Sequence, residues 1–390
     1  MRRYLRHFDD EPDEEIVNPK RLTAQRSIDV CGRCHSVHAF RSLEAVADWS
    51  ENGIPFRPGE DLAKAFHVFE VGQGEEFSAV AFMNEHFPDF FEDRFWPHGV
   101  VSIAGREYNG VRDSPCFASG EFTCTSCHAL HPVAEDPRQL EEWADDQLAA
   151  HGDSDAACLE CHAPLGEDLE AHSHHAASSP GSRCMNCHMP HTTYGLLKAS
   201  RSHRIASPDA ATTLATGRPN ACNLCHLDRS LAWAADRLEA WYGTPRPQID
   251  DPDLRSIAEG AVFGLRGDAA QRAIVAWHMG WAPAREAAGS EWMVPILAQL
   301  LLDPYDAVRY IAHRSLRMDP AFADVEFDYL ETDAERAVVR NEVLTRWNER
   351  SREPAEDGRR VILDTRGASD AAQLTRLLGM RDDRRIYRAE

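Results

Sequence analysis

Apolar residues return at helical spacing only in the second half of the chain. Leu231, Ala234, Leu238 and Trp241 fall three or four positions apart, the period that lays one face of an α-helix against a core. Asp228 offers an N-cap for that helix and Gly243 a stop. The region that follows reads as paired short helices, then one further helix over Asp333 to Arg350 and a charged tail with a helical stretch near Asp370 to Leu378. The longest apolar stretch, Trp292 to Leu302, contains Gln299 and is about half the ~20 residues a bilayer span needs, so no membrane helix is expected. Residues 116–229 differ: Gly, Pro, Ser and Asn are frequent and helical periodicity is slight.

Within the helical half, Asp303-Pro-Tyr-Asp-Ala-Val-Arg-Tyr-Ile-Ala-His-Arg-Ser-Leu316 resembles the second helix of a HEAT repeat. Gly267-Asp-Ala-Ala-Gln-Arg-Ala-Ile-Val-Ala is a weaker copy about 37 residues earlier. Two stacked helical hairpins follow from that pattern, serving either as a surface for protein contact or as a lid on the preceding domain.

Composition and charge narrow the picture. The 390 residues are 43% hydrophobic and 27% charged, which is globular and long enough for two or three domains. The formal charge of −22 repels phosphate backbones and anionic lipid, so nucleic acid is not an expected partner. Met1 to Pro19 carries Asp9, Asp10, Glu11, Asp13, Glu14 and Glu15 almost in series, the pattern of a solvated arm, and has no apolar core of the signal-peptide kind.

The cysteines carry the chemistry. All eleven lie between Cys31 and Cys225, and ten form five copies of C-x-x-C-H: Cys31, Cys34 and His35; Cys124, Cys127 and His128; Cys158, Cys161 and His162; Cys184, Cys187 and His188; Cys222, Cys225 and His226. At this chain's Cys and His frequencies chance supplies roughly 0.015 copies. Two thiols three positions apart can each form a thioether to one haem, and the next residue then brings its imidazole beneath the iron. Five haem c groups are therefore the expected cofactors. A zinc site would pair two C-x-x-C units without requiring a His after each, and a disulfide scaffold gives no reason for the His. Each haem adds two propionates, about −10 in all before iron is counted, so the protein is more acidic still.

Fourteen other His exceed the five needed as sixth ligands. His131 and His191 lie three residues after a proximal His, too near to wrap around one macrocycle, so they would ligate a neighbouring haem. His203, and His174 and His175 beside His172, can reach either face; His98 and His67 are the choices in the first interval. His7, His38, His86 and His151 read as solvated, and His278 and His313 as packing residues. Met185 and Met189 are alternative thioether ligands. Bis-His ligation, with low potentials and no open position, is the expectation. Cys116 reads as a small buried hydrophobe.

The fold expected is mainly α: a haem-packed multihaem cytochrome c domain with little regular structure, then a helical HEAT-like repeat domain. The divisions are an N-terminal arm and first haem region over 1–115, a four-haem domain over 116–229, helical repeats over 230–325, and helices with a charged tail over 326–390. With the first cysteines of successive motifs 93, then 34, 26 and 38 positions apart, the haems are dense in the second division, where macrocycles would form the core and their loss would unfold it.

Further strings carry a resemblance: Gly105-Arg-Glu-Tyr-Asn-Gly110, Ser114-Pro-Cys116-Phe, Cys184-Met-Asn-Cys-His-Met-Pro-His191-Thr-Thr-Tyr-Gly, Arg201-Ser-His203-Arg-Ile and Gly217-Arg-Pro-Asn-Ala-Cys-Asn-Leu-Cys-His226. On these, residues 18 to 390 resemble multihaem c-type cytochromes with C-terminal helical repeats, in the superfamily of pentahaem nitrite reductase and octahaem hydroxylamine oxidoreductase. The resemblance implies stacked and perpendicular haem pairs and a natural chain that starts further upstream with a signal peptide, hence a periplasmic or otherwise extracytoplasmic place. The chain departs from the nitrite reductases in lacking C-x-x-C-K, and from the hydroxylamine enzymes in having five motifs rather than eight.

Three functions fit. The first is an electron carrier that docks redox partner proteins through its acidic surface or its helical repeats. The second is an oxidoreductase acting on a small nitrogen or sulfur oxyanion at one five-coordinate haem, with Arg106, Glu107 and Tyr108, and His98, as proton donors and charge stabilisers. The third is a HEAT-type scaffold that holds haems for assembly.

Overall fold

The computed structural model describes residues 17–132, 138–149, 151–350, 358–364 and 366–386; the acidic run Asp9 to Glu15 and His7 lie outside them. The described chain is mainly helical, with two short two-stranded hairpins. No described helix is long and apolar enough to cross a membrane. The chain forms two compact units: Met1–Phe91 with Gly105–His172 and His203–Ile205, and Glu92–Ala104 with Ser173–Ser202 and Ala206–Glu390. Three C-x-x-C-H motifs thus belong to the first unit and two to the second, and the 116–229 segment contributes to both.

In the first unit, helix α1 (Ala24–His35) is capped by Thr23, whose hydroxyl accepts the Arg26 N–H, and ends on the first motif, so Cys31, Cys34 and His35 share its last turns. Strands β1 (His38–Phe40) and β2 (Phe66–Val68) pair antiparallel, Ala39 opposite His67. Helix α2 (Glu107–Arg112) lies against α1 at Gly32, where a Cβ would sit 2.5 Å from the Tyr108 ring. Tyr108 hydroxyl donates to buried Asp29 at 2.8 Å. Asn109 accepts the Val37 N–H and donates to the Phe69 carbonyl, tying α2 to the chain beyond each strand. One apolar cluster here gathers Ile28, Phe56, Leu62, Phe66, Val68, Tyr108 and Val111, and Phe69 and Val80 are fully buried in the same unit. From Pro115 to His172 the described helices run seven residues or fewer, in line with the weak periodicity of that stretch.

In the second unit the fourth motif is itself a helical turn, α3 (Cys184–His188), followed by a hairpin of β3 (Thr193–Gly195) and β4 (Lys198–Ser200). The fifth motif lies on α4 (Ala221–Cys225), whose N-cap Asn220 accepts the Cys222 N–H at 2.9 Å. Helix α5 (Leu231–Tyr242) stops at Gly243, which adopts φ +67°. Its N-cap is Ser230 rather than Asp228, because the Asp228 carboxylate is held by Arg229 at 3.0 Å and Arg360 at 3.5 Å. Then come α6 (Glu259–Arg266), α7 (Ala269–Gly280), α8 (Met293–Leu300), α9 (Asp306–Leu316), α10 (Asp333–Asn348) and α11 (Ala371–Leu378).

Helix α7 packs on α6 and α9, and α8 on α9 and α10, around one large core that includes Leu265, Met279, Leu297, Ile311 and Trp347. Inside it Arg272 Nε donates to Asp303 Oδ2 at 2.6 Å, both side chains fully buried. Arg272 also donates to the Gly267 and Asp382 carbonyls, so one guanidinium joins α7, the α8–α9 turn and the C-terminal tail.

Candidate functional site

Each motif puts its two Cys and its His on one turn of chain, as the spacing predicts. Turns of this kind bring motifs together within each unit. In the first, the Cys124 thiol hydrogen-bonds to the Cys31 sulfur, and Cys158 lies within electrostatic range of Cys127 and of the unassigned Cys116. Cys116 is half-buried rather than enclosed. In the second, Cys187 lies close enough to Cys222 and Cys225 to raise both, after the larger effect of burial, which together push each up to about 12. None of the eleven cysteines forms a disulfide, and no three His, Cys, Asp or Glu among the described residues converge as a metal's ligands.

Two proximal imidazoles face a second imidazole. The His128 and His203 ring centres are 6.3 Å apart with planes 20° from parallel; the His175 and His226 centres are 6.0 Å apart at 25°. Two metal–nitrogen bonds of about 2 Å, plus about 1.1 Å from each nitrogen to its ring centre, place two axial imidazoles on one iron roughly 6 Å apart. Direct ring stacking is closer: His174 lies 4.4 Å from Trp241 at 16°. Both centroid separations match that spacing.

Local structure fixes these rings. His175 Nδ1–H donates to the Ser173 carbonyl at 2.7 Å, which sets the tautomer and leaves Nε2 as the lone-pair nitrogen. Gly181 lies against the His175 ring, with no space for a Cβ. Burial, with His175 and Arg229 nearby, lowers His226 to about 4, which keeps it neutral as a ligand must be. The His203 carbonyl accepts from the Ser114 hydroxyl at 3.1 Å, and Gly110 is packed so closely that a Cβ would lie 2.7 Å from the Arg204 nitrogen. The Gly105–Gly110 and Ser114–Phe117 strings therefore build the seat of His203.

The other sequence-predicted ligands are placed differently. His174, in the left-handed region at φ +57°, stacks on Trp241 while its neighbour His175 faces His226. His131 is exposed. His191 lies among Trp277, Trp281 and His278, with ring centres 4.8, 5.2 and 5.8 Å away, and burial with the Arg201 and His278 charges lowers it to about 2. His278 is a buried packing residue as expected, its Nδ1–H bonded to the Ile274 carbonyl, and His313 donates to the Val325 carbonyl. His67 is bonded to Gln73, and His98 sits half-buried after Trp96 in the second unit. His188 donates from Nδ1 to the Ala206 carbonyl at 3.2 Å. Among the described residues no imidazole faces His35 or His162 at the axial spacing.

Arg106, Glu107 and Tyr108 support the first motif. His35 Nδ1–H donates to Glu107 Oε2 at 2.8 Å, and the Gly105 N–H donates to Oε1 at 2.7 Å. Burial would raise Glu107, but the His35 hydrogen bond, the His203 charge and backbone N–H groups bring it down to about 2; His35 is raised, first by that hydrogen bond. Tyr108, raised by burial and by Asp29, is committed to Asp29 and Gly32. Arg106 caps the Gly105 carbonyl at 2.7 Å.

Two supporting residues were not singled out in the sequence. Arg201 donates to the Met185 and Met189 carbonyls and to Asn186, bracing the fourth motif. Glu259 is fully buried beside the fifth: Oε1 accepts the Asn220 N–H at 3.1 Å, and Oε2 has no partner among the described residues. A carboxylate inside the apolar run Ala258-Glu-Gly-Ala-Val-Phe-Gly-Leu265 was the available signal.

Burial raises Glu259 to about 8. A carboxyl that holds its proton more tightly when folded contributes most stability below the ordinary glutamate value, loses it as pH rises toward 8, and changes no further above that. The cost at pH 7 is roughly 3 kcal/mol. Glu259→Gln is expected to stabilise the protein by about that order near pH 8 and by almost nothing near pH 4, read by denaturation across that range. A variant less stable than its parent at pH 8 would contradict the assignment.

No protein-family model matches the chain, and no curated protein or solved structure does so either.

Proposed function

We propose that the chain is a pentahaem c-type cytochrome that carries electrons through closely spaced, mostly bis-His haems, with C-terminal HEAT-like repeats, as its resemblance to that multihaem superfamily implies. The single observation that carries this is that two of the five His directly following C-x-x-C face a second imidazole at the spacing of an iron's two axial ligands. Bound haem iron supplies a one-electron couple. The ten motif cysteines hold it covalently, and His35, His128, His162, His188 and His226 ligate it on the proximal side. His203 and His175 close the sixth position at the second and fifth haems, which excludes substrate there and leaves outer-sphere electron transfer. Grouping of motifs one to three and four to five within the units suits short electron steps inside each.

The acidic surface fits a basic docking face on a redox partner protein, and attachment chemistry points to the periplasm or another extracytoplasmic place. An oxidoreductase acting on nitrite- or hydroxylamine-type substrates is the second reading. It is favoured by one observation: an acid and a cation lie beside the first motif, Glu107 on the His35 ring and Arg106 near the Cys34 carbonyl.

The test is the EPR and visible spectrum of the oxidised protein. Low-spin signals that ignore added nitrite or hydroxylamine support the carrier. A high-spin component that shifts on their addition overturns it in favour of the enzyme.

A further inference from the structure

We propose that Glu107 is a positioning residue that lowers the reduction potential of the haem held by Cys31, Cys34 and His35, acting through the His35 ring. The inference rests on the haem reading above and deepens it by giving one haem a distinct place in the electron path.

Among the proximal imidazoles, His35 donates its Nδ1 proton to a carboxylate at 2.8 Å, whereas His188 donates to a neutral carbonyl at 3.2 Å. A carboxylate on that proton draws it away from the ring and makes the iron-facing nitrogen a stronger donor, which favours the oxidised metal. Glu107 cannot easily turn aside. Its other oxygen accepts the Gly105 N–H, and its helix is pinned by Tyr108 to Asp29, by Asn109 to Val37 and Phe69, and by close packing of Gly110 on the His203–Arg204 backbone. The same helix therefore carries the partner of the first haem's proximal His and supports the segment bearing the second haem's distal His. The tuned step is a one-electron exchange at the metal in which no bond is made or broken.

The experiment is a spectroelectrochemical titration of the full haem-loaded chain beside Glu107→Gln and Glu107→Asp. Gln keeps the size and can accept the His35 proton without the charge. In E107Q one of the five one-electron components is expected to become at least tenfold easier to reduce, about 59 mV upward, while the others stay in place. E107D, which keeps the anion on a shorter arm, is expected to shift the same component in the same direction by a smaller factor. The proposal is overturned if no component moves that far, if all five move together as general loosening would cause, or if E107D moves a different component. A parent chain with no titrating components at all would instead refute the haem reading itself.

Discussion

Replacing His203 by alanine is expected to turn one low-spin haem of the oxidised protein into a high-spin, ligand-binding one, and His175→Ala to do the same at a different haem. Each loss removes the low-spin EPR signal of one haem, and the double variant the signals of two. The geometry behind this is the separation of 6.3 and 6.0 Å from the His128 and His226 rings. The neighbouring histidines are the controls. His174→Ala removes a ring that stacks on Trp241, and His131→Ala an exposed one, so neither is expected to change spin state. Low-spin intensity that survives in His203→Ala and His175→Ala, or that disappears in His174→Ala, would show that the pairs are wrongly assigned.

The second large effect lies in the helical part. Arg272→Met leaves Asp303 fully buried without its cation, and also frees the Gly267 and Asp382 carbonyls. Breaking one side of such a pair costs about 3–5 kcal/mol. Replacing both partners, as in Arg272→Met with Asp303→Leu, removes the stranded charge and is expected to recover a large part of that loss. Urea denaturation followed by Trp fluorescence reports it, since Trp347 is buried in the same core. A single variant within 1 kcal/mol of the parent, by order of magnitude, would mean that the pair is not the tie the packing suggests.

The helical half was legible because helices announce themselves locally. Gly243 was readable as a stop because a helix end needs a left-handed residue, and Asp370 stands as the N-cap of α11. Ser230 was missed as the N-cap of α5 because Asp228 caps equally well on paper, and its carboxylate is taken out of use by its neighbour Arg229 together with Arg360, 132 residues away. The cysteine inventory was legible for the same local reason, since one turn of chain suffices to state it.

The facing imidazole pairs were only half legible. Chain length set aside His131 for its own haem and kept His203 in play, but His174 and His175 are adjacent, and what separates them is one backbone angle and the Ser173 carbonyl. Glu107 was marked as chemically important while its face was hidden. Which side of the imidazole it meets depends on α2 resting on Gly32, a contact between residues far apart in sequence.

The most direct test of the central claim is a count of covalently attached haem. The chain, matured where c-type haem attachment takes place, is denatured and extracted with acidified organic solvent, and the residue is measured by pyridine haemochrome and intact mass. Five haems per chain with a c-type spectrum, all retained through extraction, are the predicted result. A protein that keeps no haem through extraction, or that instead holds zinc on its cysteines, would contradict it.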